Sequence, residues 1–277
     1  MGFASTHRSR RPKRGAEGDD ATGTGLALHE IVSRATLADI RALTGAPFVP
    51  FVPSARSHAR TGRGASMPDT IDWFFDVVSP FAYLQIEQFD KLPAGLAIRP
   101  RPVVLGAILN HWGQKAPAEI DAKRTFTYRH ALFRAQQLGI AYRMPPAHPF
   151  NPIKALRLTI AMGGSLDAVR AVFRHIWRDG QEVASPEGFA ALCEAVGFPE
   201  GVTAVEQPAV KDALRHHTDA AIALGVFGVP TFVRNGDLFW GEDATAMFLQ
   251  CLESDWLATP EVQRVSALPV GVRRSGS

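Results

Sequence analysis

The stretch VPTFVRNGDLFWG, residues 229–241, constrains this chain more than any other. Asn235-Gly236 stands between two short apolar runs, and both residue types tolerate the positive φ of a two-residue turn, so a β-hairpin is expected here. An isolated hairpin is not stable in water; it needs further strands or a covering helix. The chain just ahead of it offers none, because the apolar spacing from 117 to 224 is helical. Only IDWFFDV (71–77) and LAIRPRP (96–102) read as further strands. The first strand with its helix and the late hairpin with its helix would form one sheet-containing module.

The segments between fill in the order. The strand 71–77 passes through Ser79-Pro80 into a helix at 80–91, with Ser as a favoured N-cap and Pro suited to the first helical position. After the strand 96–102 come an amphipathic helix at 117–140 and helices at 151–164, 165–180, 185–198 and 207–224. Asn151 reads as the cap of the second of these, with Pro152 behind it. A last helix at 243–256 follows the hairpin. The order β-α-β, helices, hairpin, helix is that of an α/β thioredoxin-like domain with an all-helical insertion. Residues 67–104 and 206–260 would form the module and 105–205 the insertion, with a disordered tail at 261–277.

With 46% apolar and 21% charged residues the composition is that of a soluble globular protein, and no apolar run is long enough to span a membrane. A pI near 9.1 invites a nucleic-acid reading. The charge argues against it: residues 1–66 carry ten Lys and Arg against five Asp and Glu, whereas 67–277 carry 20 against 22. That leader reads as disordered at 1–23, amphipathic and weakly helical at 26–43, and linker-like at 45–66. It lacks the apolar core of a secretory signal. An Arg-rich start ahead of Glu17 suits a transit peptide; alternatively Met67 is the natural start and the leader is not native. Cys193 and Cys251 are far apart and outside any Cys-x-x-Cys pair, as expected of reduced, buried thiols in a reducing, cytoplasmic compartment. The nine histidines show no metal-ligand spacing, and adjacent His216 and His217 are expected to be partly exposed on a helix.

Three motifs carry chemistry. In a thioredoxin-like module the turn from the first strand into the first helix places the reactive group, where helix-start amides favour a thiolate. Redox members carry Cys-x-x-Cys there; this chain carries Ser79-Pro80-Phe81-Ala82 and cannot exchange disulfides at that turn. A serine hydroxyl can cap the helix and also donate to the thiolate of another molecule. In GVFGVPTFV (225–233), Pro230 follows Val229 where the fold places a cis proline, although X-Pro bonds are more often trans. That arrangement exposes the backbone of Val229 to a peptide lying alongside as an extra strand, and glutathione, a tripeptide, suits the slot. In LFWGEDATAMF (238–248), Gly241 would end the hairpin and Asp243 cap the last helix. The same helix start would also suit a carboxylate of the tripeptide, with Asp243 receiving its amino group.

Together FFDVVSPFAYL, RPVVLGAILNHWGQKAP, NPIKALRLTIAMGG, GVFGVPTFV and LFWGED make residues 67–255 resemble the 2-hydroxychromene-2-carboxylate isomerases, relatives of the kappa-class glutathione transferases. The resemblance implies a glutathione-dependent isomerase interconverting 2-hydroxychromene-2-carboxylate and trans-o-hydroxybenzylidenepyruvate in naphthalene-type aromatic breakdown. Ser79 matches the serine that holds the glutathione sulfur; Val229 with Pro230 matches one backbone contact, and Trp240, Gly241, Glu242 and Asp243 the second. Substrate contacts would fall near Asn110, Phe150 and Asn151, and a homodimer is implied. One departure concerns the substrate: Asn110 stands where many members have Lys, and Arg101, Lys115, Lys123 and Arg124 are the cations available to replace it. His111 and Trp112 either line the pocket or pack the insertion against the module. A kappa-like transferase or peroxidase for other electrophiles would use the same Ser79 and Val229. A non-catalytic glutathione-binding or interaction module is the alternative of another class. No metal, nucleic acid or membrane is expected.

Overall fold

The computed structural model describes residues 70–272; the expected leader, with its stretch 26–43, and residues 273–277 lie outside the described residues. Strand β1 is Thr70–Phe75, helix α1 Pro80–Ile86 and strand β2 Ala97–Pro102. Then come α2 Leu105–His111, α3 Asp121–Leu138, α4 Ile153–Ala161, α5 Leu166–Phe173, α6 Pro186–Ala195, α7 Gly201–Ala204 and α8 Pro208–Ala223. The hairpin β3 Thr231–Arg234 and β4 Asp237–Trp240 follows, and α9 Thr245–Glu253 and α10 Pro260–Ser266 close the chain.

The sheet has the order β2-β1-β3-β4. β1 runs parallel to β2, from Thr70 opposite Ala97 to Phe75 opposite Pro102. It runs antiparallel to β3, with Asp72 opposite Val233 and Phe74 opposite Thr231. Thr231 in turn pairs with Trp240 across a hairpin whose turn residues Asn235 and Gly236 have φ of 54° and 90°. β2 is an edge strand, which is where prolines such as Pro100 and Pro102 are tolerated. This is an α/β thioredoxin-like fold with a helical insertion.

Side-chain alternation on β1 splits the core between two faces. Ile71, Trp73 and Phe75 face one way and pack with Phe232 and Phe239 against Phe173, Trp177, Phe189, Leu192 and Phe248. Phe74 faces the other way, with Val233 from β3, and meets Val103, Ile108, Ala221, Val226 and Val229. The first cluster runs without a break from the sheet into the helices of 105–205.

Several expected boundaries move for packing reasons. The helix expected to 91 ends at Ile86, and a separate 3-10 turn, Phe89–Lys91, swings Phe89 edge-on to Trp73 at 4.9 Å. The helix expected over 165–180 becomes a π turn at Arg174–Arg178, which buries Ile176 and Trp177 together. α3 is less amphipathic than expected: its inward face is Ala131 and Ala135, while Phe126, Leu132 and Phe133 are exposed. α9 begins at Thr245 with Ala244 at the N-cap position, so exposed Asp243 does not cap it. The tail expected to be disordered from 261 begins with α10, favoured by Pro260 at its start, Glu261 in the first turn and Arg264 in the last. None of its residues is buried.

Candidate active site

β1 hands over to α1 through the turn Asp76–Ser79. Ser79 has extended backbone (φ −89°, ψ 116°), and its Oγ accepts from the Ala82 amide at 3.3 Å as the N-cap of α1. The side chain is almost fully buried, at 6% exposure. Oγ takes part in no other hydrogen bond among the described residues, so its hydroxyl proton has no acceptor among them. The backbone groups of the turn are satisfied from several directions. Asp76 accepts from the Val78 amide (3.0 Å) and the Leu105 amide (2.9 Å) through its carboxylate, and from the Ser79 amide (3.0 Å) through its carbonyl. The Val77 carbonyl accepts from the Trp177 indole at 2.8 Å, and the Val78 carbonyl lies 2.8 Å from His148 Nε2.

Val229-Pro230 is a cis peptide immediately ahead of β3. Carrying the β1–β3 register two steps beyond Phe74 and Thr231 sets Phe75 beside Pro230 and then Asp76 beside Val229. The Ser79 turn and Val229-Pro230 thus emerge at the same end of the sheet. The amide and carbonyl of Val229 bond to no group among the described residues, whereas the Pro230 carbonyl accepts from the Gly241 amide at 2.8 Å. Trp240 is 53% exposed; its indole covers Gly228 so closely that a Cβ there would lie 2.5 Å from Nε1, and it stands edge-on to Phe227 at 5.1 Å. Trp112 packs the insertion here, its indole donating to the Val226 carbonyl at 2.9 Å.

Gly241 has φ +100°, a region open chiefly to glycine, and its carbonyl accepts from Gln85 Nε2 at 3.0 Å. Buried Gln85 also donates to Thr245 Oγ1 (3.0 Å) and accepts from the Trp73 indole (2.7 Å), tying α1, β1 and the start of α9 together. Glu242 is 6% exposed, its carboxylate held by Arg134 of α3 at 2.9–3.2 Å and by Gln88 at 2.9 Å. Trp240 and Asp243 are exposed, while Glu242 between them turns inward to Arg134 of the insertion. Of the expected substrate residues, Asn110 is exposed at the end of α2, Asn151 is exposed and its Oδ1 accepts from the Ile153 amide at 3.0 Å, and Phe150 packs half-buried against Trp177.

The family model of the DSBA-like thioredoxin domain matches residues 70–253. The chain belongs to that family. This DSBA-like domain is 29% identical over 188 residues to the 2-hydroxychromene-2-carboxylate isomerase of Pseudomonas putida, covering 64% of this chain and 91% of that protein. It is 28% identical over 179 residues to glutathione S-transferase kappa 1 of Caenorhabditis elegans, covering 58% and 78%. Among solved structures, it superposes on a selenomethionine 2-hydroxychromene-2-carboxylate isomerase with a TM-score of 0.61 and 23% identity, covering 72% of this chain and 100% of that one, a likeness of fold.

The DSBA-like domain contains groups that sequence reasoning passed over. Asp76 looked like the end of a strand; Gln85 is a polar residue on the apolar face of YLQIEQF, a visible but unread signal. His148, Tyr128, Arg134 and Trp177 reach the site from the insertion, and no local pattern marks them. Its two thiols, Cys193 and Cys251, are free and buried, and burial pushes both above the ordinary thiol range.

Proposed function

We propose that this chain is a cytoplasmic, glutathione-dependent isomerase of the 2-hydroxychromene-2-carboxylate type. The observation that carries the reading is the free hydroxyl proton of Ser79 at the start of α1, at the sheet end where Val229 leaves its amide and carbonyl open. The residues fit a tripeptide thiol. Val229 offers one donor and one acceptor to an extended backbone, and Trp240, Gly241 and Asp243 border the second contact. Ser79 donates to sulfur, and the positive end of α1 favours the anionic form. When bound, glutathione supplies a sulfur nucleophile whose reversible addition to a conjugated double bond lets that bond rotate before elimination regenerates both partners. The chain's own part is to hold the thiol ionised and the acceptor in place; it has no cysteine at the turn to divert the sulfur into a mixed disulfide.

For the substrate, an apolar hollow of about 420 Å3 is lined by Pro117, Ala122, Lys123, Phe126 and Thr127. Phe126, His130 and Phe81 form a row of rings 5.5 Å apart from that hollow to the helix capped by Ser79. Of the cations weighed as substitutes for the missing Lys at 110, Arg101 is paired with Asp72 and Arg124 with Asp121, whereas Lys123 lines the hollow and suits an aromatic carboxylate. The exposed Asn110 favours a second reading, a kappa-like transferase for other electrophiles.

Product analysis separates the two. Isomerised chromene carboxylate with glutathione unconsumed supports the first, and a stable adduct or oxidised glutathione the second. Ser79→Ala is expected to raise the pKa of the bound thiol by about one to two units, the loss of one charge-assisted hydrogen bond, read as thiolate absorbance against pH. The lost cap should cost only about 1 kcal/mol of stability. An unshifted titration would overturn the role of Ser79.

A further inference from the structure

The peptide that leads into Ser79 is gripped on both edges. Its N–H, belonging to Ser79, donates to the Asp76 carbonyl at 3.0 Å, and its C=O, belonging to Val78, faces His148 Nε2 at 2.8 Å. A carbonyl only accepts, so Nε2 is the protonated nitrogen. The other nitrogen, Nδ1, lies 2.8 Å from the Tyr128 hydroxyl, which is also 2.7 Å from the carbonyl of His148 itself. The Tyr128 hydroxyl has a single proton, given to the His148 carbonyl, so it holds His148 through its backbone, and the ring is boxed by Trp177 at 5.4 Å and Phe150 at 6.1 Å. Tyr128 sits on α3, and His148 on the segment joining α3 to α4; neither belongs to the sheet or to α1. Two rigid neighbours thus carry the position of the insertion to the plane of the Val78–Ser79 peptide.

We infer that His148, held by Tyr128, is a positioning residue that aims the Ser79 hydroxyl by fixing the carbonyl edge of the peptide before it. The inference rests on the proposed role of Ser79 toward the glutathione sulfur. The peptide plane sets the direction of Cα–Cβ at Ser79, and a hydroxyl at 6% exposure has little freedom to make up for a tilt. Burial pushes the pKa of the His148 imidazole below its ordinary value, while the Val78 carbonyl at Nε2 pulls the other way.

The test compares full-length wild type with His148→Phe, His148→Gln, Tyr128→Phe and Ser79→Ala. Phe keeps the ring contacts and removes the donor; Gln restores an N–H; Tyr128→Phe takes away one hydroxyl only. The first readout is amide exchange of Ser79 in the unliganded protein. His148→Phe is expected to speed it about tenfold, the loss of roughly one hydrogen bond, with Tyr128→Phe smaller in the same direction and His148→Gln close to wild type. The second readout is the pKa of bound glutathione, expected to rise by about one unit in His148→Phe and to return with Gln. Wild-type exchange and titration in both His148→Phe and Tyr128→Phe would overturn the inference. If His148→Phe fails to fold, unchanged exchange and titration in Tyr128→Phe overturn it by themselves. A titration unmoved by Ser79→Ala but faster exchange in His148→Phe would defeat the reading of Ser79 and leave the coupling standing.

Discussion

Asp76 is fully buried, with no cation paired to it among the described residues. Burial lifts its carboxyl from the ordinary 3.8 to about 7, even though the Val78 and Leu105 amides pull the other way. The folded protein then holds this proton more tightly than the unfolded chain does. The associated stability is full below the unfolded value of 3.8 and is lost as pH rises through about 7. Wild type is expected to lose a few kcal/mol across that window from this group, seen as a falling Tm. Asp76→Asn should flatten the dependence while lowering stability by about 1–3 kcal/mol at every pH, because its NH2 must face a backbone N–H. Ser79 was legible because a hydroxyl behind a strand and ahead of Pro80 has few other uses. Asp76 was not, since a carboxylate at a strand end ordinarily faces water.

Helices carry the link between the insertion and the loop after β4. Arg134 of α3 is half-exposed, but the Glu242 carboxylate it holds is 5% exposed with Gln88 as its other donor. Arg134→Met should therefore cost about 2 kcal/mol, less than a fully buried pair because Gln88 remains, and, on the function proposed above, weaken glutathione binding by displacing Gly241 and Asp243. Adding Glu242→Gln should recover part of the stability; urea melts and calorimetry check both. The hairpin was legible from Asn235-Gly236 and the start of α1 from Ser79, whereas Pro152 and Ala244 stand at the N-cap positions expected of Asn151 and Asp243. The break after Ile86 and the π turn were not legible: both exist to seat Phe89 and Trp177 against the sheet, and that demand is tertiary.

Across the molecule, one core joins parts that the sequence divides. Trp73 on β1 and Trp177 in the insertion belong to the same cluster, so unfolding is expected to be a single transition. Fluorescence of Trp73→Phe and Trp177→Phe variants should give midpoints that coincide with the loss of far-ultraviolet ellipticity; two separated midpoints would mean that the insertion melts independently. The topology was readable because a late hairpin had to find early strands. The shared core was not, because helix patterns show which face is apolar and not what it meets.

The prolines of β2 have a further effect on what this sheet can join. The Val103 amide donates to the Phe75 carbonyl, so by alternation the amides of residues 98, 100 and 102 point away from β1. Two of those three are Pro100 and Pro102 and have no proton to give. That rim offers few donors for zipper-like growth into fibrils or lateral chains, whereas β4, at the opposite edge of the sheet, contains no proline.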